Sequence, residues 1–186
     1  MFDDFEDVRD LSVLEVRAVG SLAATGSKWE PYRLLGPADQ PVGAVASFFG
    51  DLLAAGCSEA TVRSYGMDLL RWFRFLWAVE VAWDRATRLE ARDFCRWLAI
   101  TNGRRGSGRA RPYSVSVRVH SETVLRCFYD FHRDVGAGPM VNPFPAPLTT
   151  PSGAVLITRS SSTPTTPSSS SKETRNTGPC HRLHPR

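Results

Sequence analysis

The run TVRSYGMDLLRWFRFLWA, residues 61–78, holds three arginines, Arg63, Arg71 and Arg74, among five aromatic residues. A guanidinium offers N–H donors in a flat fork that suits phosphate oxygens and guanine edges. On a helical wheel of about 100° per residue, Arg63, Arg74 and Arg71 fall at roughly 0°, 20° and 80°. Val62, Tyr65, Leu69, Leu70, Phe73, Leu76 and Trp77 spread over roughly 200° to 340° on the same wheel. The apolar arc is therefore expected to pack inward and the arginines to form a separate stripe. A later helical run repeats the arrangement, with Arg118, Arg126, Arg133 and Tyr129 on one face, within about 80° of Arg118. Glu122 lies among them, placed to neutralise Arg126 as an i,i+4 pair. Between the two runs stands NGRRGSGRARP, residues 102–112, with four arginines and three glycines in eleven positions. Such a segment cannot build a core and reads as an exposed basic loop. If both stripes lie on one side, stripes and loop together would form a groove that tracks phosphates. Ordinary solvated helix faces and a merely soluble connector are the alternatives.

Four helices are needed to position these groups. The first spans about Val42 to Ala55, with Val42, Val45, Phe48, Phe49, Leu52 and Leu53 on helical spacing, Pro41 near its start and Gly56 at its stop. The second is the opening run, with Ser58 as N-cap. The third is TRLEARDFCRWLAI, where Thr87 and Glu90 make a capping box. The fourth runs from about Ser116 to Val135 and ends at the Gly-Ala-Gly of residues 136–138; Val117, Val124, Phe128, Phe131 and Val135 are its apolar stripe. Ahead of them, residues 1–30 are acidic and weakly periodic, with either disorder or a short helix around Val8–Val19. WEPYRLLGPADQP reads as an extended lead-in with a turn. Beyond Leu148 the composition changes: twenty of the thirty-one residues from Thr149 to Pro179 are Ser, Thr or Pro, and no aromatic follows Phe144. That tail cannot bury enough apolar surface to offset its ordering entropy and is expected to be disordered.

Charge follows the same division. Residues 1–40 carry eight acids and four bases, residues 41–145 ten acids and fourteen bases, and the last 41 residues one acid and five bases. The formal net charge is +4, and all but two of the twenty-three basic residues are arginine. A basic middle is compatible with a polyanionic partner, although codon bias would also enrich arginine. The four cysteines form no C-x-x-C pair, and Cys57, Cys95 and Cys127 sit in apolar helical contexts as small hydrophobes. No apolar stretch is long enough for a membrane span, and the acidic start lacks the features of a signal peptide. A soluble, cytoplasmic protein of a reducing compartment is expected. Cys180, His181 and His184 in the tail give too few ligands for a closed zinc site, so no metal and no cofactor is expected. His132 is expected at the helix surface or partly buried.

Taken together, TVRSYGMDLLRWFRFLWA, ATRLEARDFCRWL, the basic loop and VLRCFYDFHRDVGAGPMVNPFP resemble the N-terminal core-binding domain of the tyrosine recombinase (phage integrase) family. The resemblance covers roughly residues 38–145. It rests on Thr61-x-x-x-Tyr65, on Leu-Arg-x-Phe-Tyr at Leu125–Tyr129 and on Asn142-Pro143, in this order and spacing. The family implies an all-α fold, a SAM-like orthogonal bundle of four to five short helices, here with disordered N- and C-terminal tails. The chain then divides into an acidic extension (1–37), a core-binding domain (38–145) and a Ser/Thr/Pro-rich tail (146–186). The resemblance also implies that the bundle sits on one side of duplex DNA, its second and fourth helices facing the major groove, while a catalytic domain closes the other side. By position the DNA contacts would be Arg63, Arg71, Arg74, Arg118 and His120, with Ser114, Ser116 and the loop residues Arg104, Arg105, Arg109 and Arg111 on phosphates.

The family's strand exchange needs a tyrosine nucleophile, an arginine pair, a lysine and a histidine. The last tyrosine here is Tyr129, inside the fourth helix, and CHRLHPR supplies no His-x-x-Arg. The expectation is a DNA-binding module with double-stranded DNA as partner, no small-molecule substrate and no catalysis of its own, read as a truncated or frameshifted fragment. The alternative is a helical interaction module that binds an intact recombinase subunit through Phe48, Phe49 and Leu52 of the first helix. A pseudogene product is the third reading.

Overall fold

The longest apolar arc in the sequence becomes the central element. In the computed structural model, which describes residues 9–103 and 111–145 (backbone alone at 102, 103, 111 and 112), α2 spans Glu59–Ala78. Ser58 starts it by accepting from the Thr61 amide at 3.2 Å, which satisfies one of the donors that every helix start leaves unpaired. Trp72 and Phe75, both wholly buried, project into the middle of the core, where Trp72 meets Phe94, Tyr129 and Phe144 edge-on. Three helices surround α2. These are α1 (Gly43–Ala54), α3 (Arg88–Ile100) and α4 (Val115–Asp134), with a single 3-10 turn at Trp83–Arg85 between α2 and α3. The Thr87–Glu90 capping box forms at the start of α3 as the sequence indicates. Ser114 caps α4, and Gly136, at positive φ, lets the chain turn back so that the Ala137 amide donates to the His132 carbonyl at 2.7 Å.

Past α4, Asn142 fixes the chain against the bundle. Its Nδ2 donates to the Arg126 carbonyl (3.0 Å) and to Asp130 (2.9 Å), while its Oδ1 accepts from the Phe144 amide (2.8 Å). Phe144 is thereby delivered into the core beside Trp72 and Tyr129.

The bundle is not all-α, and this corrects the expected fold class. Before α1 stand two antiparallel strands, β1 (Ser21–Ser27) and β2 (Glu30–Leu35), with Leu22 opposite Leu34 and Ala24 opposite Tyr32. β2 packs its buried Leu34 against the helices. Two residues on each side of the basic loop also pair, β3 (Asn102–Gly103) with β4 (Arg111–Pro112). The helix allowed for around Val8–Val19 does not form over the described residues 9–19. That segment runs irregularly over the bundle, held by Leu11, Leu14 and Val16 and by Arg9, which pairs with Asp93 of α3 at 3.2 Å. Residues 1–8 and the tail from 146 onward, with Cys180, His181 and His184, lie outside the described residues.

Candidate nucleic-acid interface

Helices α2 and α4 are joined by one acid. Asp68 lies mid-helix at 3% exposure, where a lone carboxylate would be heavily penalised unless donors surrounded it. Three do. Arg71, one turn on, pairs with it; Ser121 of α4 donates at 2.6 Å; and His120 approaches through Nδ1 at 2.8 Å. Arg71 also donates to the Ser121 hydroxyl at 3.1 Å, and its guanidinium lies over the Tyr113 ring, 5.2 Å from the centroid. The His120 ring in turn meets Tyr65 edge-on. Two expected contact residues, Arg71 and His120, thus sit side by side at the α2–α4 seam. Both are oriented by a carboxylate beneath them, and both remain partly open to solvent.

The other expected contacts divide by location. Arg63 is exposed on the same edge of α2, as are Ser64 and Met67. Arg74 shares Arg63's azimuth but serves the fold: its Nε donates to the Val19 carbonyl (2.7 Å) and its NH2 to that of Gly20 (2.9 Å), which clamps the root of β1. Burial there pushes its pKa below the ordinary arginine value. Ser114 is the N-cap of α4, its hydroxyl accepting from the Val117 amide at 3.4 Å, and Ser116, two residues on, is exposed. Arg118 is half-buried, with a buried Nε that has no hydrogen-bond partner among the described residues. Arg104, Arg105 and Arg109 lie outside the described residues. Arg111 is described as backbone in β4, paired with Gly103. Because β3 and β4 bring both ends of the loop together just before Tyr113, the basic segment springs from the edge of the Arg71–Asp68 cluster.

The second arginine stripe is not continuous. Tyr129, expected on that face, is buried; its hydroxyl accepts from the Trp72 indole (3.0 Å) and donates to the Trp83 carbonyl (2.9 Å). Burial raises its pKa further. Arg126 donates to the carbonyls of Phe144 (3.3 Å) and Pro145 (3.1 Å), while Arg133 pairs with Asp130 at 3.0 Å. Glu122 hydrogen-bonds Cys95, a thiol that burial, first of all, pushes up to about 12. His132 is buried, donating from Nε2 to the Ala44 carbonyl at 3.1 Å, and burial lowers its pKa.

One further expectation, an exposed apolar face on α1, is corrected by this geometry. Phe48, Phe49 and Leu52 of α1 are core residues at 2%, 2% and 7% exposure, so they offer no apolar face to a partner subunit. Among the described residues, no group of His, Cys, Asp or Glu side chains could hold a metal ion, and no helix is long and apolar enough to cross a membrane. The organising residues that the sequence did not single out are Asp68, Ser121 and Tyr113. Asp68 carried one signal, an acid three residues before an arginine at the border of the apolar arc.

Comparison with known proteins agrees with this helical arrangement. Residues 45–121 match the family model described as phage integrase, N-terminal SAM-like domain. No curated protein and no solved structure matches the chain. The matched stretch runs from the first core residue of α1 to Ser121 at the α2–α4 seam and leaves the hairpin outside it. Over residues 45–121 the chain is thus similar to the phage integrase N-terminal SAM-like domain, consistent with the expected resemblance to the core-binding part of a tyrosine recombinase.

Proposed function

We propose that this bundle binds duplex DNA as the core-binding module of a tyrosine-type site-specific recombinase. The observation that carries the reading is the Asp68 cluster. It holds Arg71 and His120 at an open seam, beside the exposed Arg63 and at the root of a loop with four arginines. Arg63, Arg71, Arg118, His120, Ser116 and the loop residues Arg104, Arg105, Arg109 and Arg111 are the contacts in this reading. Ser114 contributes by fixing the α4 N-terminus, whose unpaired amides favour a phosphate. Arg74 acts from behind, holding the hairpin. Residues 38–145 supply the contacts, and residues 9–37 buttress them. A cytoplasmic site of action is part of the same proposal.

The unit binds DNA without cutting it. A phosphate-attacking tyrosine must present its oxygen to solvent and lose its proton readily. Tyr129 does neither, since its hydroxyl is buried, doubly hydrogen-bonded and shifted away from ionisation. Strand exchange would need a nucleophile supplied elsewhere. The reading is tested by comparing duplex affinity of the wild-type chain with that of Arg63→Glu. Arg63 is exposed, so the change leaves the fold intact. A loss of about tenfold, with a salt slope shallower by about one to two, is expected when one phosphate contact is replaced by repulsion. Unchanged affinity would remove α2 from the interface.

A further inference from the structure

The hairpin ends in a feature that its packing does not use. Up to Ala24 and Tyr32 the two strands lie against the bundle, with Leu22 reaching Gly66 of α2 and Tyr32 joining the core. Beyond that point Thr25, Gly26, Ser27, Lys28 and Trp29 are all exposed, and Trp29 is 87% exposed, the most open of the five tryptophans. The tip is nevertheless built. The Ser27 amide donates to the Thr25 hydroxyl at 3.1 Å, the Trp29 amide to the Ser27 hydroxyl at 3.3 Å, and Glu30 is engaged by Arg33. Gly26 takes the positive φ that the turn requires. A rigid turn that presents a lysine and a bare indole, with the neighbouring acid already paired, is a surface suited to a polyanion with apolar flanks.

Its position says which polyanion. Arg74 ties the root of β1 to α2, and Leu22 abuts Gly66, which lies about 60° round the wheel from Arg63. β1 therefore borders the α2 edge that carries Arg63 and Met67. We infer that the hairpin tip is a second contact element for the same duplex, outside the segment matched to the integrase family. In it Lys28 meets a backbone phosphate and Trp29 packs on the adjoining deoxyribose. The contact is sequence-independent and lengthens the footprint beyond what the helices reach. This inference rests on the DNA-binding reading.

The test uses the full chain with a random duplex, followed by anisotropy and by acrylamide quenching of tryptophan fluorescence. Trp29→Phe isolates its signal from those of Trp72, Trp77, Trp83 and Trp97. The expected results are three: DNA shields the Trp29 component from acrylamide, Trp29→Ala weakens binding by about tenfold, and Lys28→Ala makes the salt slope shallower by about one. Binding with Trp29 still fully quenchable and both variants at wild-type affinity would overturn the hairpin contact and leave the helical interface standing. Absence of salt-sensitive binding by the wild-type chain would overturn both.

Discussion

Replacing Asp68 by Asn tests the cluster that organises the seam. The carboxylate is 3% exposed and takes Arg71, Ser121 and His120 at once. Removing one partner of a buried ion pair typically costs about 3–5 kcal/mol, because the remaining charge is stranded. Here the stranded charge is partly relieved. The Arg71 side chain is 21% exposed and keeps the Ser121 hydroxyl and the Tyr113 ring. Asparagine also retains an acceptor oxygen for Ser121. The net loss should be about 2–3 kcal/mol, large against a typical total of about 5–15 kcal/mol. With a urea dependence of about 1–3 kcal/mol per molar, the unfolding midpoint should fall by about 1 M. Far-UV circular dichroism of the full chain in urea reads this directly, and Ser121→Ala alone and combined with Asp68→Asn gives the coupling. The two changes should be non-additive by at least about 0.5 kcal/mol, since the residues share one network. A loss under about 0.5 kcal/mol, with additive effects, would show that Asp68 behaves as an ordinary surface acid and would refute the reasoning.

Stability should also fall on acidification through His132. Burial lowers its folded pKa, so the unfolded chain binds a proton near the ordinary value of 6.5 while the folded one resists. Stability is therefore full above that value and declines as pH drops below it toward the folded pKa; urea midpoints across this window should fall in the wild type and flatten in His132→Gln. Gly20→Ala should destabilise by about 2 kcal/mol or more, because the residue sits at φ +69 and a Cβ there would stand 2.6 Å from the Leu35 carbonyl oxygen; thermal unfolding checks it. Cys95, pushed up to about 12, should alkylate far more slowly at mildly basic pH than the exposed Cys127, as peptide mass spectrometry would show.

The helices were legible because their determinants are local. Ser58, Thr87 with Glu90, and the glycines after α4 mark their ends within a turn, and the apolar spacing fixes the buried face. The hairpin was not legible. β1 reads SLAATGS, short of β-branched and aromatic residues, and the strands lack an Asn-Gly or Asp-Gly turn. What stabilises it is remote: Leu34 in the helical core and the Arg74 guanidinium on two carbonyls some fifty residues away in sequence. The arginines show the same limit. A wheel places Arg63 and Arg74 at one azimuth, yet only contact with the hairpin separates an exposed side chain from a clamp. Asp68 is not legible in the sequence because a single acid on a helix normally faces water, and its three donors arrive partly from α4.

The salt dependence of duplex binding by the full chain tests the central claim most directly. Fluorescence anisotropy with a labelled random duplex, at two salt concentrations about fourfold apart, is sufficient. If the seam, the loop and Arg63 neutralise about four phosphates, affinity should drop about a hundredfold between the two conditions. An affinity that does not change with salt, or no binding at the lower one, would contradict a DNA-facing α2–α4 edge.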